Sequence, residues 1–494
     1  FEIAEHFQID RSELCFIGDE EKDRETAERA ECRFLRIQRK KENFLTGEQK
    51  KRQEERDGRM SRRMKVAIAG LGGRGRDVYA KSALLHPDKM EIVAVADIDP
   101  KKVALAAEEY HVPKEACFLS AEEMLQKEKL ADAMIIATQD RQHVDQAIVA
   151  LEKGYHLLLE KPISPDLNEC RKLAEVARHS GCKIVVCHVL RYTPIYQKVK
   201  ELLDSGVIGD VVSVMAAENV GWYHQAHSFV RGNWANSDET SPMILQKCCH
   251  DMDLYLWLTG KTCESITSFG DTYLFKEEKA PKGCAKRCFD GCKAREDCPF
   301  DAEKIYLDNK VFGYRKGNRI WPLDVLVPSG PTEEKILDVL KESRYGQCVY
   351  HCDNNVVDHQ VVNLNMTDGT TMSFTMCGFT PEISRYARFM GTRGELRVEM
   401  KQTAEECEIS IHRFESDLPV ENIDVASLAE DFTGHGGGDD RMVVEFLELI
   451  SGEKEESSYV TSLERSLESH YCALAAEYSR THGGRPVKID EFAK

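Results

Sequence analysis

Apolar and polar positions follow two different rhythms along this chain. From Met64 to about residue 190, short unbroken apolar runs recur between longer amphipathic stretches. The runs lie at 65–69, 91–96, 132–137, 156–159 and 183–187. The stretches between and after them lie near 76–86, 101–110, 121–128, 141–153 and 166–180. Strand-length apolar runs, each followed by a helical pattern, predict a parallel sheet covered by helices on both faces. Beyond residue 190 that alternation stops. Val211–Glu218, His359–Met366 and Thr370–Cys377 read as strands, and the last two flank Asp368-Gly369, a hairpin signal. Leu396–Val398 follows the turn Gly391–Gly394, and 440–451 and 462–481 read as closing helices. The expected fold class is α/β: a doubly wound parallel sheet over 64–190, then an α+β domain over 191–494.

Two segments stand outside this pattern. Within residues 1–38, Leu14–Ile17 and Phe34–Ile37 read as strands around an acidic turn, Gly18 to Asp23, and a helical stretch, Glu25–Ala30. This resembles the C-terminal part of a haloacid-dehalogenase-type phosphatase. The nucleophilic D-x-D loop of such enzymes is not in the chain, so Asp19 and Asp23 read as a surface turn in a remnant. Residues 39–63, dense in Lys, Arg, Glu and Gln, read as a solvated linker.

The turn after the first apolar run carries the clearest chemistry. Gly70, Gly72 and Gly75 fit G-x-G-x-x-G between a strand and a helix. The next strand ends in Asp97, 22 residues after Gly75. Gly70 permits the turn, Gly72 lets backbone approach a pyrophosphate, and Gly75 lets helix and strand pack closely. Asp97 can accept from the adenosine ribose hydroxyls, and its charge disfavours a 2′-phosphate. The reading is a Rossmann dinucleotide site for NAD, with NADP second. Gly73 and Arg74 complete the loop. Thr138, His143 and Glu160, at later strand ends, and Arg191, at the exit, join the cofactor-binding candidates.

Composition narrows the class. The net charge of −18 argues against a general nucleic-acid binder. No apolar run is long enough to span a membrane, and the first residues do not resemble a signal peptide, so the expectation is a cytoplasmic protein with mostly reduced thiols among its 18 cysteines. What preceded Phe1 stays open.

The stretches AIAGLGGRG, VAVADIDP, IIATQDRQH, ALEKGYHLLLEKP and KCCHDMDLYLWLTG, in that order over residues 67–260, resemble the Gfo/Idh/MocA family, the glucose-fructose oxidoreductase and inositol dehydrogenase type. A softer match continues through GTRGEL. The resemblance implies a second domain with a large open, mostly antiparallel sheet, whose free face makes a homodimer or homotetramer contact. It also implies that Lys161, in Glu160-Lys161-Pro162, holds the reacting hydroxyl beside the nicotinamide, and that His250 takes the hydroxyl proton. The family's aspartate four residues before this histidine is Gln246 here. The apolar spacing is helical, and Gln246, His250 and Asp253, at i, i+4 and i+7, share one face, with Asp253 a candidate to orient His250.

Tyr223, His224, His227, Arg231 and Trp234 form a polar-aromatic stretch suited to a sugar. Tyr223, His227 and Trp234, with Gln246 and His435, are the substrate-binding candidates. Residues 277–345, rich in Lys, Pro and Gly, read as an insertion without its own core. It holds Cys284, Cys288, Cys292 and Cys298, separated by three, three and five residues, as candidate ligands for structural zinc or, second, an iron–sulfur cluster. The functional expectation is NAD-dependent hydride transfer from a secondary alcohol of a sugar, glycoside or cyclitol. The alternatives are a redox-assisted glycosidase or lyase that recycles bound NAD, and a non-catalytic NAD-binding sensor or structural subunit.

Overall fold

The computed structural model describes Cys15–Gly18, Arg33–Arg36 and residues 62–494 apart from positions 329, 416, 430 and 431. The chain forms two compact units, 1–60 and 61–494. In the first, strands β1 (Cys15–Gly18) and β2 (Arg33–Arg36) pair in parallel. The acidic turn, the helix expected at 25–30 and the linker up to residue 61 lie outside the described residues.

The second unit opens with a six-stranded parallel sheet. Its strands are β3 (Met64–Ala69), β4 (Met90–Ala96), β5 (Cys117–Phe118), β6 (Ala133–Ile136), β7 (His156–Leu159) and β8 (Ile184–Val186), ordered β5-β4-β3-β6-β7-β8. The apolar runs are continuous because both faces are covered. Val66, Ile68, Ile135 and Leu158 face one core, while Ala67, Ala69, Met134 and Leu157 face the other. The first core is closed by Met442, Val443 and Phe446 of the helix Thr433–Ser451, so the second domain returns to roof the first. Caps fix the helix starts: Asp99 accepts from Lys101 N, Ser120 from Glu123 N, and Asp166 from Asn168 N and Glu169 N.

One expected helix differs. Instead of a single helix over 76–86, a π-helical turn, Gly75–Tyr79, precedes a four-residue helix, Ser82–Leu85. The wide turn carries Tyr79 inward to a buried partner, Glu160. The glycine loop is therefore not backed by a long helix dipole.

The second sheet has nine strands: β9 (Val211–Asn219), β10 (Cys263–Asp271), β11 (His359–Met366), β12 (Thr371–Cys377), β13 (Ser384–Gly391), β14 (Gly394–Met400), β15 (Glu408–Arg413), β16 (Glu421–Ile423) and β17 (Val487–Lys488). Their order is β16-β15-β14-β13-β9-β12-β11-β10-β17, and only β9 and β12 pair in parallel. In β11 and β12 buried and exposed residues alternate. One face packs on the helix Cys249–Thr259 and the helix Leu463–Thr481 through Leu254, Tyr255, Phe374 and Phe389. The other face is open.

The insertion does bury a core, contrary to expectation. Ile305, Tyr306, Leu323, Ile336 and Leu340 pack with Tyr223, Ala226 and Val230. The helix Glu333–Glu342, capped by Thr332, supplies one side.

Candidate active site

The glycine turn leaves β3 at Ala69. Gly70 has φ +90°, and a Cβ there would lie 2.3 Å from the Ala137 carbonyl oxygen. A Cβ on Gly75 would lie 1.9 Å from the Gly70 carbonyl oxygen. Gly72 and Gly73 meet nothing within 4 Å. The first pair allows close packing, and the second leaves an open rim that fits a pyrophosphate. At the end of β4, Asp97 accepts from Leu71 N at 2.7 Å and from Asp99 N at 2.9 Å. Each oxygen keeps a lone pair for a ribose hydroxyl.

Arg74 and Glu160 lock the turn to the exit of β7. Arg74 donates to Glu160 Oε1 at 3.0 Å, to Tyr79 Oη at 2.7 Å and to Asp439 Oδ1 at 2.7 Å, and lies 3.3 Å from His435 Nδ1. Glu160 also accepts from Tyr79 Oη and from Lys161 N. Burial opposes its ionisation, but Arg74 and then Lys161 outweigh burial and hold the carboxyl below its usual range. Glu160, expected at the cofactor, therefore spends its carboxylate on positioning.

Lys161 is half-buried, and its Nζ donates to the Gln246 carbonyl at 2.8 Å. His250 is buried, and its Nδ1 has no hydrogen-bond partner. Its ring meets His188 edge-on at 5.6 Å and lies 6.4 Å from His435. Burial first, and Lys161 next, hold its pKa well below the ordinary histidine value. The ring is thus held neutral beside a cation. Lys161, His250, His435 and the Gln246 main chain come together.

Several expected contacts are absent. The helix is not continuous: Met243–Gln246 ends before Cys249–Thr259 begins, so Gln246 is not one turn behind His250. Asp253 faces Arg191, which donates to both carboxylate oxygens, at 2.7 and 2.5 Å. The buried pair ties the helix to the domain crossover, and Asp253 does not orient His250. It also occupies two of the guanidinium nitrogens expected at the cofactor. Both His143 ring nitrogens lie against carbonyls, Pro162 at 2.8 Å and Thr138 at 3.1 Å, in a buried site. The Thr138 hydroxyl donates to Gln146. These contacts brace the strand ends.

The polar-aromatic stretch is the floor of the insertion. His227 bonds Tyr306 Oη at 3.0 Å and stacks on Tyr345, and burial lowers its pKa to about 3. Tyr223 packs on Phe312 at 5.0 Å, and Trp234 packs against the second domain's core. Apolar cover supplied some 80 residues later turns these residues inward. Of the other expected substrate contacts, His435 is exposed, whereas the Gln246 side chain is buried with Oε1 unpartnered.

His188 was not expected in the site. It is fully buried, and neither ring nitrogen has a partner. It stands between His250 and His470, 5.5 Å from the latter. Its one sequence signal is its place just after β8. Among the cysteines, Cys284 and Cys348 approach each other and His351, while Cys288 and Cys298 line the same cavity.

Comparison with known proteins finds matches to both domains. Residues 64–188 match the oxidoreductase family's NAD-binding Rossmann fold (GFO_IDH_MocA), and residues 196–286 match the GFO/IDH/MocA C-terminal domain. The chain is 23% identical to the putative oxidoreductase YteT of Bacillus subtilis over 390 residues, 76% of this chain and 86% of that protein. It is 25% identical to an inositol 2-dehydrogenase of Rubrobacter xylanophilus, over 42% of this chain and about half of that protein's length, 55%. The fold is similar to that of the WlbA dehydrogenase of Bordetella pertussis, solved with NADH and UDP-GlcNAcA: TM-score 0.61, 18% identity, 87% of this chain and 98% of that one. The chain is thus similar to Gfo/Idh/MocA oxidoreductases over residues 64–188, which match an NAD-binding Rossmann fold, and over residues 196–286.

Proposed function

We propose that the protein is an NAD-dependent dehydrogenase for a secondary alcohol of a sugar, glycoside or cyclitol. The observation that carries this reading is the neutral, buried His250 beside Lys161 at the carboxyl end of the parallel sheet. His250 Nε2 accepts the hydroxyl proton. The Lys161 ammonium holds the oxygen and stabilises its developing negative charge. Bound NAD supplies the hydride acceptor. His435, exposed and held by Asp439, offers a hydrogen bond to a further hydroxyl. The inositol dehydrogenase and WlbA likenesses support a polyhydroxylated substrate. The open sheet face is where a second copy would pack to give the expected homo-oligomer.

A panel of cyclitols, sugars and glycosides with NAD, read by absorbance of the reduced cofactor, tests the reading. Reduction with at least one polyol is expected. Glycoside cleavage with no net reduction would replace this reading with the recycled-cofactor one.

NAD should bind about tenfold or more tightly than NADP, because Asp97 repels a 2′-phosphate and the exposed Ile98 beside it brings no countercharge. Lys101 and Lys102 are the nearest cations in sequence. Calorimetric titration checks this. Equal affinities would reject it, and Asp97→Ser should narrow the gap.

A further inference from the structure

Six thiols, those of Cys284, Cys288, Cys292, Cys298, Cys348 and Cys352, collect around the buried guanidinium of Arg231. Cys284 Sγ and Cys348 Sγ are 3.0 Å apart. With a ring nitrogen of His351 they form a group whose ligand atoms all lie within 4.8 Å of one another. Cys292 reaches Cys284 and lines the same cavity. The backbone holds the two segments together: Cys348 N donates to Lys286 O at 2.9 Å, and Cys288 N to Gly346 O at 3.0 Å.

A sulfur pair at 3.0 Å is about equally far from a disulfide, at about 2.05 Å, and from two thiolates on tetrahedral zinc, about 3.8 Å apart for Zn–S of about 2.3 Å. Arg231 decides between them. It is fully buried, donates to the Gln347 and Phe300 carbonyls and to Cys288 Sγ at 3.7 Å, leaves Nη1 without a partner, and has no carboxylate among its hydrogen-bond partners. A guanidinium stays charged, and a charge so buried needs a countercharge. A disulfide is neutral. A dication bound by three thiolates and one neutral imidazole carries a net charge of −1. The thiols of Cys284, Cys288, Cys292, Cys298 and Cys348 line one cavity with Arg231.

We propose that Cys284, Cys348 and His351, with Cys292 as fourth ligand, bind one structural zinc ion whose anionic site is neutralised by Arg231. Binding releases the three thiol protons to solvent. Glu277, 3.7 Å from His351 Nδ1, favours Nε2 as the ligand atom. The ion ties the insertion to the chain leading into β11. The ligand set differs from the run of four cysteines read from the sequence, since Cys288 and Cys298 are only wall residues.

The test is elemental analysis of the full-length protein purified under reducing conditions without added metal, with X-ray absorption at the zinc edge. About one zinc per chain, with three sulfurs and one nitrogen, is expected. Cys348→Ser and His351→Ala should lose more than half of the metal, and Cys298→Ser should keep it. Should the ligand variants not fold, zinc release from the wild type, titrated with a mercurial and read by a chromophoric chelator, should end at one equivalent. Metal-free protein, a Cys284–Cys348 disulfide in mass spectra, iron in place of zinc, or metal lost from Cys298→Ser but kept in Cys348→Ser would each overturn the proposal.

Discussion

Lys161→Ala is expected to lower kcat by on the order of a hundredfold or more while changing NAD affinity by less than about twofold. The side chain leaves a strand end that the structure fixes from three directions. Leu157, Leu158 and Leu159 are fully buried in the parallel sheet. Glu160 is held by Arg74, by Tyr79 and by the Lys161 amide. The Gln246 carbonyl takes the ammonium at 2.8 Å. The charge is thus aimed before substrate arrives, so its removal costs transition-state stabilisation rather than folding. The dinucleotide contacts expected of Gly72, Gly73 and Asp97 do not pass through it. Single-turnover kinetics and calorimetry separate the two effects. A variant that keeps most of its turnover would remove Lys161 from the chemistry. Lys161→Met, which retains much of the stem, should be as slow as the alanine variant if charge is what matters.

What the chain disclosed in advance is what local pattern controls. Gly70 and Gly75 were legible because backbone sterics forbid a Cβ at both positions. Asp97 and Lys161 follow strand ends, as the apolar runs before each indicate. Pairings decided by distant chain were not legible. Helical spacing put Gln246, His250 and Asp253 on one face, but a break at Lys247-Cys248 separates the first from the others. Asp253 belongs to Arg191, 62 residues away in sequence. Strand β13 was missed because arginines interrupt its apolar pattern. Those arginines have buried or cross-strand carboxylates: Arg385 with Glu218 and Asp251, and Arg388 with Glu395. His227 and Tyr223 looked like a sugar-binding loop because their cover, Tyr306 and Phe312, lies far along the chain. Cys348 and His351 join Cys284 through backbone pairing of distant segments, Cys348 N to Lys286 O and Cys288 N to Gly346 O, which cysteine spacing does not reveal.

His250→Asn is expected to cost about two to four orders of magnitude in turnover and to abolish the acid limb of the rate profile. Oxidation needs the neutral ring. Burial is the larger influence on it and the Lys161 charge the next, and both disfavour the imidazolium. The wild-type limb should therefore fall well below the ordinary value of about 6.5 and leave the rate flat across neutral pH. Stability should follow a separate course. His188 and His470 are also buried with lowered pKa values, the latter about 3, set first by burial. Below about pH 6.5 the unfolded chain binds protons that these folded rings refuse, so stability falls as pH drops through that range. His250→Asn leaves that decline largely in place while removing the rate limb, which distinguishes loss of a base from loss of fold. A carboxylate added by Gln246→Asp, near Lys161, should favour the imidazolium and shift the wild-type limb to higher pH. If His250→Asn keeps a limb of unchanged position, the base is another group, and the exposed His435, 6.4 Å away, is the next candidate.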